Sequence, residues 1–199
     1  MIVFMCEMGL RCGELIGLSW DNVDFEEGTI DINHQLLYKK KDGKYRLYAD
    51  SPKSRSGIRK LVMPDRAREM LEYQKHYQHL NGLESDDVID GYKDFCFTNK
   101  NRNPMMPSSV NNVLYNIVRK YNKVESARAE ANNARPCLIP KISSHILRHT
   151  ACTRMSEDGV DAKVIMKFLG HASMDMTDHY DHVSEERMLR EFRRLGKTK

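Results

Sequence analysis

The 199-residue sequence predicts an α+β fold that is mostly helical and contains a small three-stranded antiparallel sheet. Helical periodicity covers most of the chain after residue 65, and alternating strand patterns are confined to residues 29–63. Glycine and proline residues separate these regions. A chain of this length with 40% hydrophobic residues can bury one sizeable core, so we predict a single domain over residues 1–199.

The first twenty residues predict two short helices. An apolar run opens the chain, Gly9 is suited to end the first helix, and a second helical segment is predicted from Arg11 to Leu18. No capping residue precedes the opening run, so we expect the native polypeptide to continue upstream of Met1.

The middle of the sequence predicts antiparallel strands. Asp42-Gly43 is typical of a tight hairpin turn, and residues 52–64, PKSRSGIRKLVMP, predict a second hairpin with Lys53 near its tip. The three predicted strands are Thr29–Ile32 as continued by Gln35–Tyr38, then Tyr45–Ala49, and then Ile58–Met63.

The remaining sequence predicts amphipathic helices with polar residues suited to start them. These helices are predicted to begin at Asp65, at Ser108 or Ser109, at Ser144, at Asp161 and at Ser184. The last of them carries one apolar stripe, formed by Met188, Leu189, Phe192 and Leu195.

Composition limits the function classes. Lysine and arginine exceed aspartate and glutamate by four, 32 against 28, which permits a polyanionic partner without requiring one. Five cysteines without a C-x-x-C pair argue against a disulfide framework and against a thiolate zinc site, and they fit a reduced intracellular compartment. The apolar opening is short and interrupted by Glu7, so neither a signal peptide nor a membrane span is predicted.

The last third of the chain holds the most reactive combination of residues. His145 and Arg148 are three residues apart in a helical pattern, which puts an imidazole and a guanidinium on one face, where both could contact one phosphate. Tyr180 follows His171 by nine residues. Because a free tyrosine has a pKa of about 10, a nucleophilic tyrosine needs such cations and proton acceptors nearby.

Each motif alone has an ordinary structural interpretation. His145 could cap a helix or pack in the core, Arg148 could form a salt bridge, and Arg11 with Glu14 could be a surface pair. Five such motifs in this order along the chain are not expected by chance. The five segments are GLRCGEL, PKSRSGIRKLVMP, SHILRHT, LGHASMD and DHY.

In this order the segments resemble the catalytic domain of the tyrosine recombinases, the phage integrase family, over essentially the whole chain. The PKSRSGIRKLVMP and HILRHT segments look especially similar to integrases of conjugative transposons. The resemblance implies a site-specific DNA recombinase, with integration or excision of a mobile element as the expected process.

The resemblance also implies a role for each matching residue. Arg11 and Arg148 match the arginines that clamp the non-bridging oxygens of the scissile phosphate, and Glu14 matches the acidic residue that braces the active site. His149 is expected to support the fold.

The other matches concern proton transfer and nucleophilic attack. Lys53 matches the lysine that protonates the leaving 5′ oxygen, and His145 and His171 match histidines that hydrogen-bond the phosphate or assist proton transfer. Tyr180 matches the nucleophile, which forms a covalent 3′-phosphotyrosine.

The resemblance further implies double-stranded DNA with specific recombination sites as partner, and a homo-tetramer on DNA held by the C-terminal helix. No cofactor, catalytic metal or membrane partner is expected, and the cytoplasm, in association with the nucleoid, is the expected location. Lys39, Lys40 and Arg55 are predicted DNA contacts. The resemblance implies that residues 1–199 correspond to the catalytic domain, and we expect the core-binding domain of the family and any arm-binding domain to lie outside them.

Alternatives from other classes remain open at this point. Residues 161–178 could form a helix-turn-helix in a non-catalytic DNA-binding module. A metalloprotein could use His171, His179 and His182, although these positions have neither H-E-x-x-H spacing nor an accompanying thiolate pair. A type IB topoisomerase would use similar chemistry.

Overall fold

The computed structural model describes residues 1–50 and 57–170. This part of the chain is mostly helical with small antiparallel sheets, which confirms the predicted fold class. The helices are α1 (Ile2–Met8), α2 (Cys12–Gly17), α3 (Asp65–Asn81), α4 (Pro107–Ala131), α5 (Ser144–Glu157) and α6 (Ala162–Leu169), with a short 3-10 turn at Trp20–Asn22. The strands are β1 (Val23–Asp24), β2 (Thr29–Ile32), β3 (Gln35–Lys41), β4 (Lys44–Asp50) and β5 (Arg59–Val62).

Local sequence signals set most helix ends. Gly9 ends α1 in the left-handed conformation, with φ 58°, as predicted from its lack of a side chain. α5 and α6 begin where predicted, capped by the side chains of Ser143 and Asp161. The prediction that Ser108 or Ser109 caps α4 is wrong: this helix begins at Pro107, because proline suits the first helical position.

The strands form two separate sheets. β1, β2 and β5 make a three-stranded antiparallel sheet, although β1 was not among the predicted strands, while β3 and β4, which were, pair only with each other among the described strands. Residues 51–56 lie outside the described part of the chain, so the hairpin predicted over residues 52–64 stays a prediction; the described end of this segment forms β5, which pairs with β2. Burial explains the split, since the β2–β5 pairing buries Ile30, Ile32 and Leu61, whereas residues 38–46 of the β3–β4 hairpin are exposed.

The main core lies around α1. Its largest fully buried side chains are Phe4, Met5, Met8, Leu10, Leu15, Ile16, Ile30, Ile32, Leu36, Leu71, Phe95 and Phe97. α1 contacts both α3 and α5, and α2 packs on β3. The turn between α1 and α2 is consequently held from several sides, and this turn carries Arg11. Among the described residues, no helix is both long and apolar enough to cross a membrane.

Gly9 lies where three helices meet. A Cβ atom on Gly9 would lie 2.6 Å from Leu169 Cδ2 at the end of α6 and 3.1 Å from Ala151 Cβ in α5. Its positive φ disfavours any side chain independently of this crowding. Glycine at this position therefore allows α1, α5 and α6 to approach one another closely.

We predict that Gly9→Ala lowers the free energy of unfolding by about 2–4 kcal/mol, because it combines left-handed strain with overpacking. Gly82→Ala is the matched control: Gly82 ends α3 with φ 59° but has no atom within 4 Å of its would-be Cβ. This control should cost about 1–2 kcal/mol, from backbone strain alone. Urea denaturation measures both, and equal losses would contradict the close packing at Gly9.

His34 is a buried histidine between β2 and β3. It is 4% exposed, its ring stacks on Tyr92 at 3.6 Å between centroids, and Nδ1 lies 2.6 Å from Asn33 Oδ1. With the proton on Nδ1, Nε2 has no hydrogen-bond partner in the described part of the chain. Burial lowers the pKa of His34 to about 4, because a charged imidazolium loses its hydration in the interior, and a polar contact with the Gly17 backbone offsets only part of that cost.

A lowered pKa means that the unfolded state, with a pKa near 6.5, binds the proton more tightly than the folded state. The stabilising effect of neutral His34 is thus complete above pH 6.5 and is lost as the pH falls toward 4. We predict that His34 contributes about 2 kcal/mol to the fall in unfolding free energy between pH 7 and pH 5. His34→Gln should show a correspondingly shallower pH dependence in urea denaturation, and identical slopes would refute the assignment.

Candidate active site

Arg11 joins two parts of the fold. It is the N-cap of α2, where its backbone N–H donates to Glu14 Oε2 at 2.9 Å and its Nη1 donates to Glu14 Oε1 at 2.9 Å. Its Nη2 donates to the carbonyl oxygen of Gly170, 159 residues away, at 2.8 Å. The Arg11 side chain is 37% exposed, so it can also reach a ligand from solvent.

Glu14 is the buried counterion of two arginines. Its side chain is 2% exposed, and both carboxylate oxygens also accept from Arg59, with Nη1–Oε1 at 3.0 Å and Nη2–Oε2 at 3.1 Å. Burial raises the pKa of Glu14, but the hydrogen bonds and charges of Arg59 and Arg11 outweigh it and hold this pKa below its ordinary value. Glu14 is therefore ionised. It is also buried, whereas the sequence spacing alone allowed Arg11 and Glu14 to be a surface pair.

Arg148 points into the interior from α5. Its Nη1 donates to the carbonyl oxygen of Gly9 at 2.8 Å and its Nη2 to that of Leu169 at 2.6 Å. The residue is 6% exposed. Arg148 thereby links the end of α1 to the end of α6, across 139 and 21 residues of sequence respectively.

Three arginines converge on the C-terminal end of α6. We call Arg11, Arg59 and Arg148 the arginine cluster. They donate to three consecutive backbone carbonyls: Arg59 to that of Phe168, Arg148 to that of Leu169 and Arg11 to that of Gly170. A helix C-terminus carries unsatisfied carbonyls and partial negative charge, which attracts cations. With Glu14, the cluster retains a formal charge of 3 − 1 = +2, which suits it to an anionic ligand such as a phosphodiester.

His145 lies in the first turn of α5 and is exposed. Its ring meets that of His149 edge to face, 4.2 Å between centroids. The expected pairing of His145 with Arg148 on one phosphate remains a prediction, because in this structure the imidazole faces outward and the guanidinium inward.

Several expected residues lie outside the described part of the chain. These are Lys53, Arg55, His171 and Tyr180, together with the helix expected from Ser184. Two of them are connected to the cluster by sequence. His171 directly follows Gly170, whose carbonyl binds Arg11, and Lys53 precedes Gly57 by four residues, where the Gly57 carbonyl accepts from Arg59 Nη1 at 3.0 Å.

The predicted DNA contacts Lys39 and Lys40 lie on the exposed β3–β4 hairpin. Lys39 is opposite Arg46 and Lys40 is opposite Tyr45 in the strand register. Tyr45 stacks on Tyr38 with 5.7 Å between ring centroids. The hairpin from residue 38 to 46 contains five basic residues and one acidic residue, and therefore presents positive charge together with aromatic surface.

Metal ligands are a separate question. Within residues 1–50 and 57–170, no three histidine, cysteine, aspartate or glutamate side chains are grouped so that they could hold an ion. The metalloprotein alternative rested on His171, His179 and His182, which lie outside these ranges.

Arg59 is the site residue that the sequence interpretation missed. The strand periodicity contained a signal for it: Arg59, Leu61 and Met63 alternate with exposed residues and so share the buried face of β5. A charged residue at an inward position needs a buried counterion, and Glu14 is the acidic residue that meets this need.

Comparisons with known proteins identify the family. Residues 1–187 match the model of the phage integrase family. The transposase from transposon Tn916 of Enterococcus faecalis is 33% identical over 201 residues, which cover 100% of this chain and 45% of the relative. A XerC-like tyrosine recombinase of Caldanaerobacter subterraneus subsp. tengcongensis is 29% identical, with 88% of this chain and 43% of the relative covered.

Solved structures give the same result. The chain is similar to the Tn1549 transposon integrase in complex with transposon right end DNA, with a TM-score of 0.79, 30% identity, and coverage of 98% of this chain and 57% of that one. XerA recombinase shares the fold, with a TM-score of 0.59 and 23% identity over 100% of this chain and 57% of the other.

The chain therefore belongs to the phage integrase family. Its fold is that of the tyrosine recombinase catalytic domain, and transposon integrases are among its relatives, as the sequence motifs predicted. The chain spans about half the length of the curated relatives it matches. The helix-turn-helix alternative loses its support, because residues 161–178 lie within the family match.

We predict that Glu14→Ala lowers the free energy of unfolding by about 3–5 kcal/mol, because it leaves Arg59 buried without its counterion. Glu72→Ala is the control, since the Arg68–Glu72 pair has side chains that are 43% and 51% exposed and should contribute less than about 1 kcal/mol. Thermal and urea denaturation of the two variants provide the comparison. A loss at Glu14 no larger than that at Glu72 would show that the buried carboxylate is dispensable for stability.

Proposed function

We propose that this chain carries the active site of a site-specific DNA recombinase, which cleaves and rejoins DNA strands through a covalent 3′-phosphotyrosine. The main support is the arginine cluster at the end of α6, directly before His171. The family match and the transposon relatives agree with this activity, and integration or excision of a mobile element is the process they favour.

In the proposed reaction the arginines act on the phosphate. Arg11, the most exposed member of the cluster, and Arg148 bind the non-bridging oxygens of the scissile phosphodiester. Negative charge on these oxygens increases as the phosphorus becomes pentacoordinate. Guanidiniums held in place before the reaction stabilise that charge without reorganising, and each such donor typically contributes about 2.7–4 kcal/mol.

Tyr180 is the proposed nucleophile. Its phenolic oxygen forms a bond to phosphorus and the bond to the 5′ oxygen breaks, so the DNA 3′ end becomes linked to the enzyme. The phenolic proton passes to His145 or His171, and Lys53 protonates the departing 5′ oxygen. The cluster supplies positive charge where a nuclease would use magnesium, so the proposed reaction needs no metal.

Rejoining reverses these steps with a different strand. A 5′ hydroxyl attacks the phosphotyrosine, the tyrosine oxygen departs, and a phosphodiester is formed again. The number of phosphodiester bonds is unchanged, because the covalent intermediate conserves the bond energy. No nucleotide cofactor is therefore required.

Double-stranded DNA is the proposed partner. The β3–β4 hairpin offers Lys39 and Lys40 to the phosphate backbone, and Arg55 is a further proposed contact. Solved relatives include Tn1549 integrase in complex with circular intermediate DNA, which is consistent with this assignment. An enzyme of this kind would work in the cytoplasm, at the nucleoid.

Assembly is proposed to involve the tail. Met188, Leu189, Phe192 and Leu195 form an apolar stripe in sequence, which suits a C-terminal helix that docks on a neighbouring protomer. Four protomers joined in this way on two DNA sites would form a homo-tetramer. Each active site would then depend on its neighbour for the placement of Tyr180.

We predict that the protein forms an SDS-resistant adduct with nicked duplexes. The nick lets the short fragment that carries the 5′ hydroxyl dissociate after cleavage, so the strand cannot be rejoined and the covalent intermediate accumulates. A library randomised around the nick removes the need to know the target sequence, and covalently captured members can be sequenced. Tyr180→Phe should bind the same duplexes but form no adduct, because it lacks the attacking oxygen. An adduct of undiminished yield with Tyr180→Phe would exclude this nucleophile.

Two arms complete the experiment. Capture in excess EDTA should equal capture without it; loss with the chelator and recovery with magnesium would indicate a metal-dependent nuclease. Tyr121→Phe, on the exposed face of α4, serves as a matched control for removal of a phenolic oxygen and should leave capture unchanged.

A further inference from the structure

Arg59 has contacts that no role in DNA binding explains. Its side chain is 5% exposed, and its guanidinium makes four hydrogen bonds to residues in the described part of the chain. An arginine side chain has five N–H groups, so almost all of its donor capacity is used. Arg59 is thus placed to hold other residues and cannot bind a phosphate without breaking these bonds.

One side of the guanidinium holds the carboxylate of Glu14. The two parallel hydrogen bonds, at 3.0 and 3.1 Å, fix both the position and the plane of the carboxylate. The same two oxygens accept from the Nη1 and the backbone N–H of Arg11. Because Arg11 is oriented by Glu14, and Glu14 by Arg59, the three residues form a chain of contacts that ends at the exposed guanidinium of Arg11.

The other donors of Arg59 hold two pieces of backbone. Nε donates to the carbonyl oxygen of Phe168 at 2.7 Å, and Nη1 donates to that of Gly57 at 3.0 Å. Phe168 lies three residues before His171, and Gly57 lies four residues after Lys53. A single buried side chain is therefore bonded to both backbone segments that lead to proposed proton-transfer residues.

We propose that Arg59 is a positioning residue for strand cleavage, which orients Arg11 through Glu14 and fixes the backbone on the approaches to His171 and Lys53. This role rests on the proposed recombinase function and adds to it a residue that acts through its contacts with Glu14 and with two stretches of backbone. This positioning role requires the planar guanidinium group of arginine. Lysine would keep the positive charge but could not bind the carboxylate and two carbonyls in fixed directions.

The test compares Arg59→Lys with Arg128→Lys in the full chain. Arg128 is a matched control, because it also binds a glutamate with two hydrogen bonds, to Glu125 at 2.8 and 3.0 Å, but does so within α4. Substrates are the duplexes captured by the wild-type protein. We expect Arg59→Lys to slow adduct formation about 100-fold, as displaced catalytic groups typically do. The dissociation constant for DNA should change by less than about threefold, and Arg128→Lys should change neither quantity.

A double-mutant cycle tests whether Arg59 acts through Glu14. Glu14→Gln alone should slow adduct formation, and the double variant should lose less rate than the product of the two single losses, because both changes release Arg11 whereas only Arg59→Lys also releases the Phe168 and Gly57 carbonyls. Rate losses that multiply in full would mean that Arg59 does not act through Glu14, and this would overturn the orientation of Arg11 by Arg59. A loss of DNA affinity as large as the loss of rate would overturn it as well, since Arg59 would then contact DNA.

A spectroscopic measurement is independent of activity. Carbon-13 NMR of the glutamate carboxyls should show that the pKa of Glu14 rises in Arg59→Lys and stays in place in Arg128→Lys. If Arg59→Lys does not fold, the Glu14→Gln, Arg59→Gln double variant, which removes both charges of this buried pair, replaces it in the rate measurement and must also be slow. An unchanged rate in a folded Arg59 variant refutes the positioning role alone, whereas a wild-type protein that forms no Tyr180 adduct refutes the recombinase function.

Discussion

The buried carboxylate of Glu14, held between two guanidiniums, is the interaction on which the site depends. Removing one carboxylate and a neighbouring arginine from water is costly, and only close geometry with every oxygen hydrogen-bonded offsets that cost. The arrangement requires the α1–α2 turn, β5 and the end of α6 to arrive together. The main effect of these buried charges is therefore to allow only one arrangement of the three segments, more than to stabilise the fold. In that arrangement the arginine cluster keeps a net positive charge that is available to a ligand.

Features of the fold that depend on neighbouring residues in sequence were predictable. Gly9 and Asp161 mark helix boundaries because a left-handed turn and a side-chain cap are local requirements. The division of the strands into two sheets was not predictable in this way. Alternation identifies each strand, but the choice of β2 as the partner of β5 depends on which faces meet the core, and that is settled by helices far away in sequence.

The site residues likewise divide into those that could be predicted from local sequence and those that could not. Arg11, Glu14 and Arg148 were identified because their motifs occur in a recognisable order, and a motif can be seen without knowing what it touches. Arg59 lies in one of those motifs but was not identified as a site residue, because its importance comes from partners 45 and 109 residues away. The inward orientation of Arg148 was likewise hidden, because the carbonyl of Gly9 becomes its partner only in the folded chain.

The three arginine bonds to consecutive carbonyls also fix the phase of α6. One residue more or fewer within this eight-residue helix would turn its end by about 100° and shift it by about 1.5 Å, so the three carbonyls would no longer face the three guanidiniums. Related chains can change the side chains on the outer face of α6 freely, but they cannot easily change its length. In evolution, this short helix should therefore tolerate substitution and resist insertion or deletion.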